Sequence, residues 1–360
     1  GLLPESFETY QIVQPGDVVF RFTDLQNDQR SLRSGRVVER GIITSAYMAF
    51  TPRGVNARYF EYLMRAYDVT KVFYSFGGSI RQSLKYDDVR RLPILTPPLP
   101  EQHAIADFLD RETAKIDVLI EKQNQLVERL RERRDAQWSA LYLGTDGAEL
   151  PVRRLIDSIV DGPFGSSLTS AHYSDEGTRV IRLGNIGINE FRDHDQAFIP
   201  VEYGRELAAH TARPGDVVMA GLGDERMPLG RAAVVPAGIG PAIVKADCYR
   251  LQPNTKVRAA YLAWALSAPP VRPKILDLSR GATRSRLNTC LARQVRLRVP
   301  DITEQDRLLT EWSGLQRNYD ALIEKAERFV ELARERRSAL VTAAITGQLD
   351  VVNTPERQAS

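Results

Sequence analysis

The chain repeats itself at long range, and no other feature limits its fold as strongly. PGDVV stands at residues 15–19 and again, letter for letter, at 214–218. Alone the match is weak, because a Pro-Gly-Asp turn running into a β-branched strand is ordinary turn chemistry. Its neighbours agree as well. ARYFEYLMRA (57–66) aligns with AAYLAWALSA (259–268), and GSIRQSLK (78–85) with GATRSRLN (281–288). Glu-Gln at 101–102 meets Glu-Gln at 304–305, DVLIEK (117–122) meets DALIEK (320–325), and RERR (131–134) meets RERR (334–337), all at one constant offset. After each RERR, ten further residues end in a glycine, Gly144 and Gly347. Chance does not hold one register through so many matches, so the chain is two tandem copies of one unit. The copies are unequal at the front. About 64 residues separate Leu150 from the second PGDVV, whereas 14 precede the first, so roughly 50 residues of the first unit are absent from this sequence.

Each copy ends in a long helical pattern. Leu-Pro-Glu-Gln opens the first, with Pro100 suited to a first helical turn and Glu101 favourable beside the positive helix end. Neither Pro nor Gly interrupts residues 101–143, and Gly144 is a natural stop. Positions alternating by four and three predict a seam at Ile105, Leu109, Glu112, Ile116, Leu119, Gln123, Leu126, Leu130, Arg133, Gln137 and Ala140. The second copy places Leu308, Trp312, Leu315, Tyr319, Leu322, Ala326, Phe329, Ala333, Arg336, Leu340 and Ala343 there, with Arg336 its one break. Two such stripes predict a coiled coil in which each helix is the partner of the other. A helix of about 40 residues is about 60 Å long, the length of a spacer. Ahead of the helices, GDVVF, GIITSAYMAF, RVIRLGNIG, GDVVMA and RAAVVP predict short strands, with a short helix at RYFEYLMRA and at its counterpart, an α+β pattern.

Charge follows the same two-fold rhythm. Residues 1–100 carry 13 basic against 10 acidic side chains, and 101–150 carry 7 against 11. Residues 151–300 carry 21 against 14, and 301–360 carry 8 against 11. Basic globular stretches suit a polyanion, and acidic helices need a different partner. An apolar share of 43% and a charged share of 26% are those of a globular protein. Two cysteines, Cys248 and Cys290, make no disulfide framework, which points to a reducing cytoplasm. No apolar run reaches the ~18–20 residues that span a bilayer, and no secretory signal opens the chain.

Motifs of catalysis are missing from the sequence. It holds no G-x-x-x-x-G-K-[ST] loop and no Asn/Asp-Pro-Pro-aromatic motif of an amino-methyltransferase. GLGDER (221–226) reads as a hairpin turn. His103, His172, His194 and His210 lack zinc spacing and read as surface or capping residues, and Asp193, His194 and Asp195 read as a solvated loop. Basic and polar residues beside turns recur instead. LSRGATRSRLN (278–288) carries Arg280, Thr283, Arg284 and Arg286, and its counterpart carries Arg81, Gln82 and Lys85. Arginine suits phosphates and guanine edges, and glycine lets a backbone approach closely.

FRFTDLQNDQRSLRSGRVVERGIITSAYMAF, followed by GGSIRQSLKYDDVRRLPILTPPLPEQHAIADFLDRETAKIDVLIEK, closely resembles the specificity subunit of type I restriction–modification systems. PDITEQDRLLTEW and YDALIEK repeat the pattern loosely in the second unit. The resemblance implies an α+β chain with two tandem target-recognition domains, held apart by two long helices in an antiparallel coiled coil with a pseudo-two-fold relation. The expected domains are 1–99 (incomplete at its front), the helix 100–144, a second domain 150–300, the helix 301–347 and a tail 348–360. The implied role is non-catalytic and needs no cofactor or metal. Each domain reads half of a split, asymmetric site in double-stranded DNA, while the helices dock two methyltransferase subunits and the restriction–translocase subunits, away from any membrane. The expected DNA contacts are Thr23, Gln26, Asn27, Arg30, Arg33, Arg81, Gln82 and Lys85 in the first unit. In the second they are Ser166, Ser167, Arg182, Asn185, Arg280, Thr283, Arg284 and Arg286. A single-chain restriction–methylation enzyme would need methyltransferase motifs that are missing, and a coiled-coil adaptor would leave the recurrent basic loops unexplained.

Overall fold

A computed structural model describes residues 10–23, 32–75, 83–279 and 286–351. The chain forms two compact units, Gly1–Val127 with Glu324–Ser360, and Glu128–Ile323. The division does not fall at the helix ends, because each long helix gives one part of its length to each unit.

Unit 1 opens with β1 (Gln11–Val13), β2 (Val18–Phe20), β3 (Ser34–Arg36), β4 (Gly41–Ile43) and β5 (Met48–Phe50), followed by α1 (Ala57–Val69) and the short α2 (Tyr86–Val89). β1 pairs antiparallel with β4, and β2 lies between β3 and β5. The long helix α3 runs Leu99–Leu143. Unit 2 adds β6 (Ala148–Pro151), β7 (Ile156–Val160), β8 (Thr178–Ile181), β9 (Phe198–Ile199), α4 (Val201–Glu206), β10 (Thr211–Ala212), β11 (Val217–Ala220) and β12 (Ala232–Val234). It continues through β13 (Ala242–Val244), β14 (Cys248–Pro253), α5 (Ala259–Ser267), α6 (Arg272–Leu278), α7 (Thr289–Ala292), β15 (Arg296–Val299) and α8 (Ile302–Ile345). Its sheets run β10-β13-β8-β9, β12-β11-β14-β7 and β15-β6. The trio β3-β2-β5 recurs as β12-β11-β14, and β1-β4 as β10-β13. β6 to β9 have no counterpart among the described residues of unit 1.

The repeated letters do the same work twice. Gly16 (φ +97°) and Gly215 (φ +88°) occupy the left-handed position that the Pro-Gly turn requires. Asp17 Oδ2 accepts from the Gln14 N–H at 2.8 Å, and Asp216 Oδ2 from the Arg213 N–H at 2.8 Å. Each turn thereby launches its central strand, β2 or β11. Gln102 and Gln305 are equivalent as well. Gln102 Oε1 accepts from the Asn56 N–H at the start of α1, and its amide donates to the Pro97 carbonyl. Gln305 Oε1 accepts from the Arg258 N–H at the start of α5, and its amide donates to the Pro300 and Lys256 carbonyls. Tyr59 and Tyr261 then reach across to the Leu95 and Arg298 carbonyls.

In unit 1 the first part of α3 packs Ile105, Ala106 and Leu109 into an aromatic core of Phe20, Phe22, Tyr59 and Phe73, which the far end of α8 joins through Val341, Ala344 and Ile345. In unit 2 the last part of α3 brings Trp138 against Trp264 of α5 and Trp312 near the start of α8, with ring centroids 6.2 and 4.6 Å away. The two helices run in opposite directions in both units. Gly347 (φ +73°) ends α8 in the left-handed conformation typical of a helix stop.

The expected seam has the right period, and its phase slips by one residue at several positions along the helices. Ile105, Leu109 and Ile116 are buried as expected, but Leu119 and Leu126 are 47% and 43% exposed, and Val127 is buried instead. On α8, Leu322 and Phe329 stand outward while Ile323, Ala326, Val330 and Ala333 face in. The arginine at the seam is Arg337 rather than Arg336, and it pairs with Asp117 at 2.9 Å. The physical reason is that Leu126–Val127, Leu322–Ile323 and Phe329–Val330 are adjacent apolar pairs. Either member satisfies a 3.5-residue period, and the contact favours the smaller or β-branched one.

Candidate nucleic-acid interface

A polar surface forms on unit 2, where the loop after β7 meets the turn between β13 and β14. Gly162 permits the meeting, because a Cβ there would lie 2.1 Å from the Lys245 carbonyl carbon. Asp161 Oδ1 ties the two segments by accepting from the Gly162 N–H at 2.7 Å and the Asp247 N–H at 2.9 Å. Burial pushes the Asp161 carboxyl up to about 6, against the lowering effect of those two hydrogen bonds. The loop then projects Phe164, 52% exposed, ahead of the exposed Ser166 and Ser167.

Arg286 lies over Phe164, its guanidinium carbon 5.4 Å from the ring centroid, and donates from Nε to Asp247 Oδ1 at 2.7 Å. That hydrogen bond raises the guanidinium pKa further. Two residues before Asp247, Lys245 Nζ donates to the Tyr173 hydroxyl at 3.0 Å and sits over the same ring. Arg182 lies over that ring too, 5.9 Å from its centroid, and pairs with Asp195 at 2.6 Å. Arg286 over Phe164, and Lys245 with Arg182 over Tyr173, thus form a run of two cation–aromatic stacks linked through residues 245–247 of the turn. Such a combination can take phosphates, stack on bases and offer directional N–H groups to base edges.

The expected contacts divide among several roles. Ser166, Ser167, Arg182 and Arg286 stand on or beside this run. Asn185 is buried, its Oδ1 accepting from the Arg182 N–H and its amide donating to the Arg192 and His194 carbonyls, so it shapes the loop from within. In unit 1, Arg33 is also buried. Its N–H donates to Asp68 and its guanidinium to the Thr23 carbonyl, which makes it an internal brace. Thr23 and Lys85 are exposed. Gln26, Asn27, Arg30, Arg81, Gln82, Arg280, Thr283 and Arg284 lie outside the described residues. Sequence reasoning missed Tyr173, Lys245 and Asp247, which carry no motif. Phe164, between Pro163 and Gly165, belongs to no motif either.

Among the described residues, no three His, Cys, Asp or Glu side chains converge as a metal site, and no helix is long and apolar enough to cross a membrane. His172 accepts from or donates to the Thr169 hydroxyl and stacks on Tyr203, and His210 meets the Asp161 carbonyl.

The type I restriction modification DNA specificity domain profile matches residues 42–129. The chain is 23% identical over 178 residues to the type I restriction enzyme StySPI specificity subunit of Salmonella potsdam, a match covering 49% of this chain and 38% of that protein. It therefore aligns with well under half of that relative's length. A solved chain from work on complex assembly and conformational transition of the type I R-M system superposes with a TM-score of 0.72 at 15% identity, covering 96% of this chain and 85% of the other. That likeness bears on the fold, an α+β chain with two long helices. Within residues 42–129 the chain is thus similar to the DNA specificity domain of type I restriction–modification systems, and over 178 residues to one of their specificity subunits.

Proposed function

We propose that the chain is the DNA sequence-recognition subunit of a type I restriction–modification complex and carries no catalysis of its own. The observation that supports this best is the run of Arg286, Phe164, Lys245, Tyr173 and Arg182 on unit 2, within a stretch of strongly basic composition. Double-stranded DNA is the ligand. Each α+β unit reads one half-site, and because the two units differ in sequence, the half-sites differ and an unread spacer separates them. The partners are methyltransferase subunits, two per chain, and restriction–translocase subunits, all in the cytoplasm. Exposed apolar side chains on the helices of unit 1, among them Leu119, Leu126, Phe329 and Leu332, suit a protein partner better than solvent.

Reconstitution with the methyltransferase subunit, followed by methylome sequencing of cells with and without this gene, tests the proposal. An interrupted, asymmetric methylated motif that disappears with the gene is expected. A continuous or palindromic motif, or a methylome that ignores the gene, overturns it.

A further inference from the structure

We propose that Asp247 is the positioning residue for a guanine-reading arginine, Arg286, which stands over Phe164 on unit 2. The inference rests on the DNA-reading function proposed above. Three independent observations support it. First, Arg286 commits Nε to Asp247, and no other bond of its guanidinium occurs among the described residues, so both terminal amino groups remain for an outside acceptor. The paired side chains are 47% and 16% exposed, which places the donor outward and its carboxylate beneath it.

Second, Asp247 is held in a conformation that side chains rarely adopt. Its φ is +64°, in the left-handed region. The strain persists because its N–H is bound by Asp161 Oδ1 and its carbonyl accepts from the Gly221 N–H at 2.8 Å. Third, the same Gly221 accepts from the Leu287 N–H at 2.9 Å, and Leu222 bridges Arg286. One strand end therefore fixes the backbone of both the carboxylate and the arginine.

Charge decides between a phosphate and a base. Asp247 cancels most of the net charge of Arg286, which weakens a non-directional attraction to phosphate. It leaves two parallel N–H groups in fixed orientation, which match the N7 and O6 acceptors of guanine. Phe164 beneath restricts the guanidinium plane.

The test is selection of duplex DNA from a randomised library by the full chain co-expressed with its methyltransferase subunit, with sequencing of the bound fraction. The wild type should require one guanine in one half-site, with replacement of that base costing about 10- to 100-fold in binding. Arg286→Lys should flatten that one position. Asp247→Gly, which suits the left-handed backbone while removing the carboxylate, should weaken the same position and leave overall melting unchanged. Asp247→Asn should retain part of the preference. Loss of the guanine with Arg286→Lys but not with Asp247→Gly overturns the positioning role. An even loss across all sequences makes Arg286 a phosphate contact and overturns the guanine assignment. A wild type that enriches no sequence overturns the DNA-reading function itself, a separate failure.

Discussion

Gln305 Oε1 accepts a hydrogen bond from the backbone N–H of Arg258 at 2.8 Å, and Gln102 repeats the contact with Asn56 at the same distance in unit 1. Both glutamines are buried. Gln305→Ala orphans the Arg258 N–H and the Pro300 and Lys256 carbonyls together. It should cost about 2–3 kcal/mol, the range for buried polar groups left unpaired. Urea unfolding measures this, and a loss below about 0.5 kcal/mol would show that water replaces the side chain.

The tryptophan cluster offers a sharper comparison. The indole N–H groups of Trp138, Trp264 and Trp312 are buried without an acceptor among the described residues. Trp312→Phe therefore forfeits no hydrogen bond and should cost less than about 1.5 kcal/mol, whereas Trp312→Ala leaves a cavity and should cost about 3–5 kcal/mol. Equal losses for the two variants would mean that ring packing does not hold this end of α3 against α8.

Asp161 should make stability fall with rising pH. Its folded value, about 6, lies above that of an unfolded aspartate, so the folded state binds the proton more tightly. That contribution is fully present below about pH 4 and is lost as pH rises through about 6. Asp161→Asn keeps an acceptor for the Gly162 and Asp247 N–H groups and removes the titration. The variant should gain on the wild type between pH 4 and 6, then hold a lead of about 1 kcal/mol, because partial exposure screens the full effect. Melting curves that stay parallel across that range would rule this out.

The phase of the helix seam separates folding from docking. Leu126→Lys and Phe329→Lys change exposed side chains and should alter stability by about 0.5 kcal/mol or less. Both should reduce capture of the methyltransferase subunit in a pull-down. Val127→Lys and Val330→Lys bury a charge in the seam and should cost several kcal/mol. If the outer pair unfolds the protein, the seam runs where the period alone would put it.

What sequence alone determined was whatever recurs locally. The duplication, both long helices, the Pro-Gly-Asp turns and the paired glutamines follow from short spacings in which neighbouring residues decide their own conformation. Tertiary structure decided which of two adjacent apolar residues faces the partner helix, because Leu126–Val127 and Phe329–Val330 satisfy the same period and only packing tells them apart. It also decided the chemistry of the surface. Arg33 and Asn185 carry ideal DNA-contact side chains yet are used up inside loops, while Lys245, Tyr173 and Asp247 belong to no motif. Lys245 comes beside Arg182 because β8 and β13 pair in parallel, and Asp247 meets Asp161 because the turn after β13 closes on the loop after β7. A polar side chain's use depends on which distant backbone groups reach it first, and that is a property of the assembled sheets rather than of any local stretch.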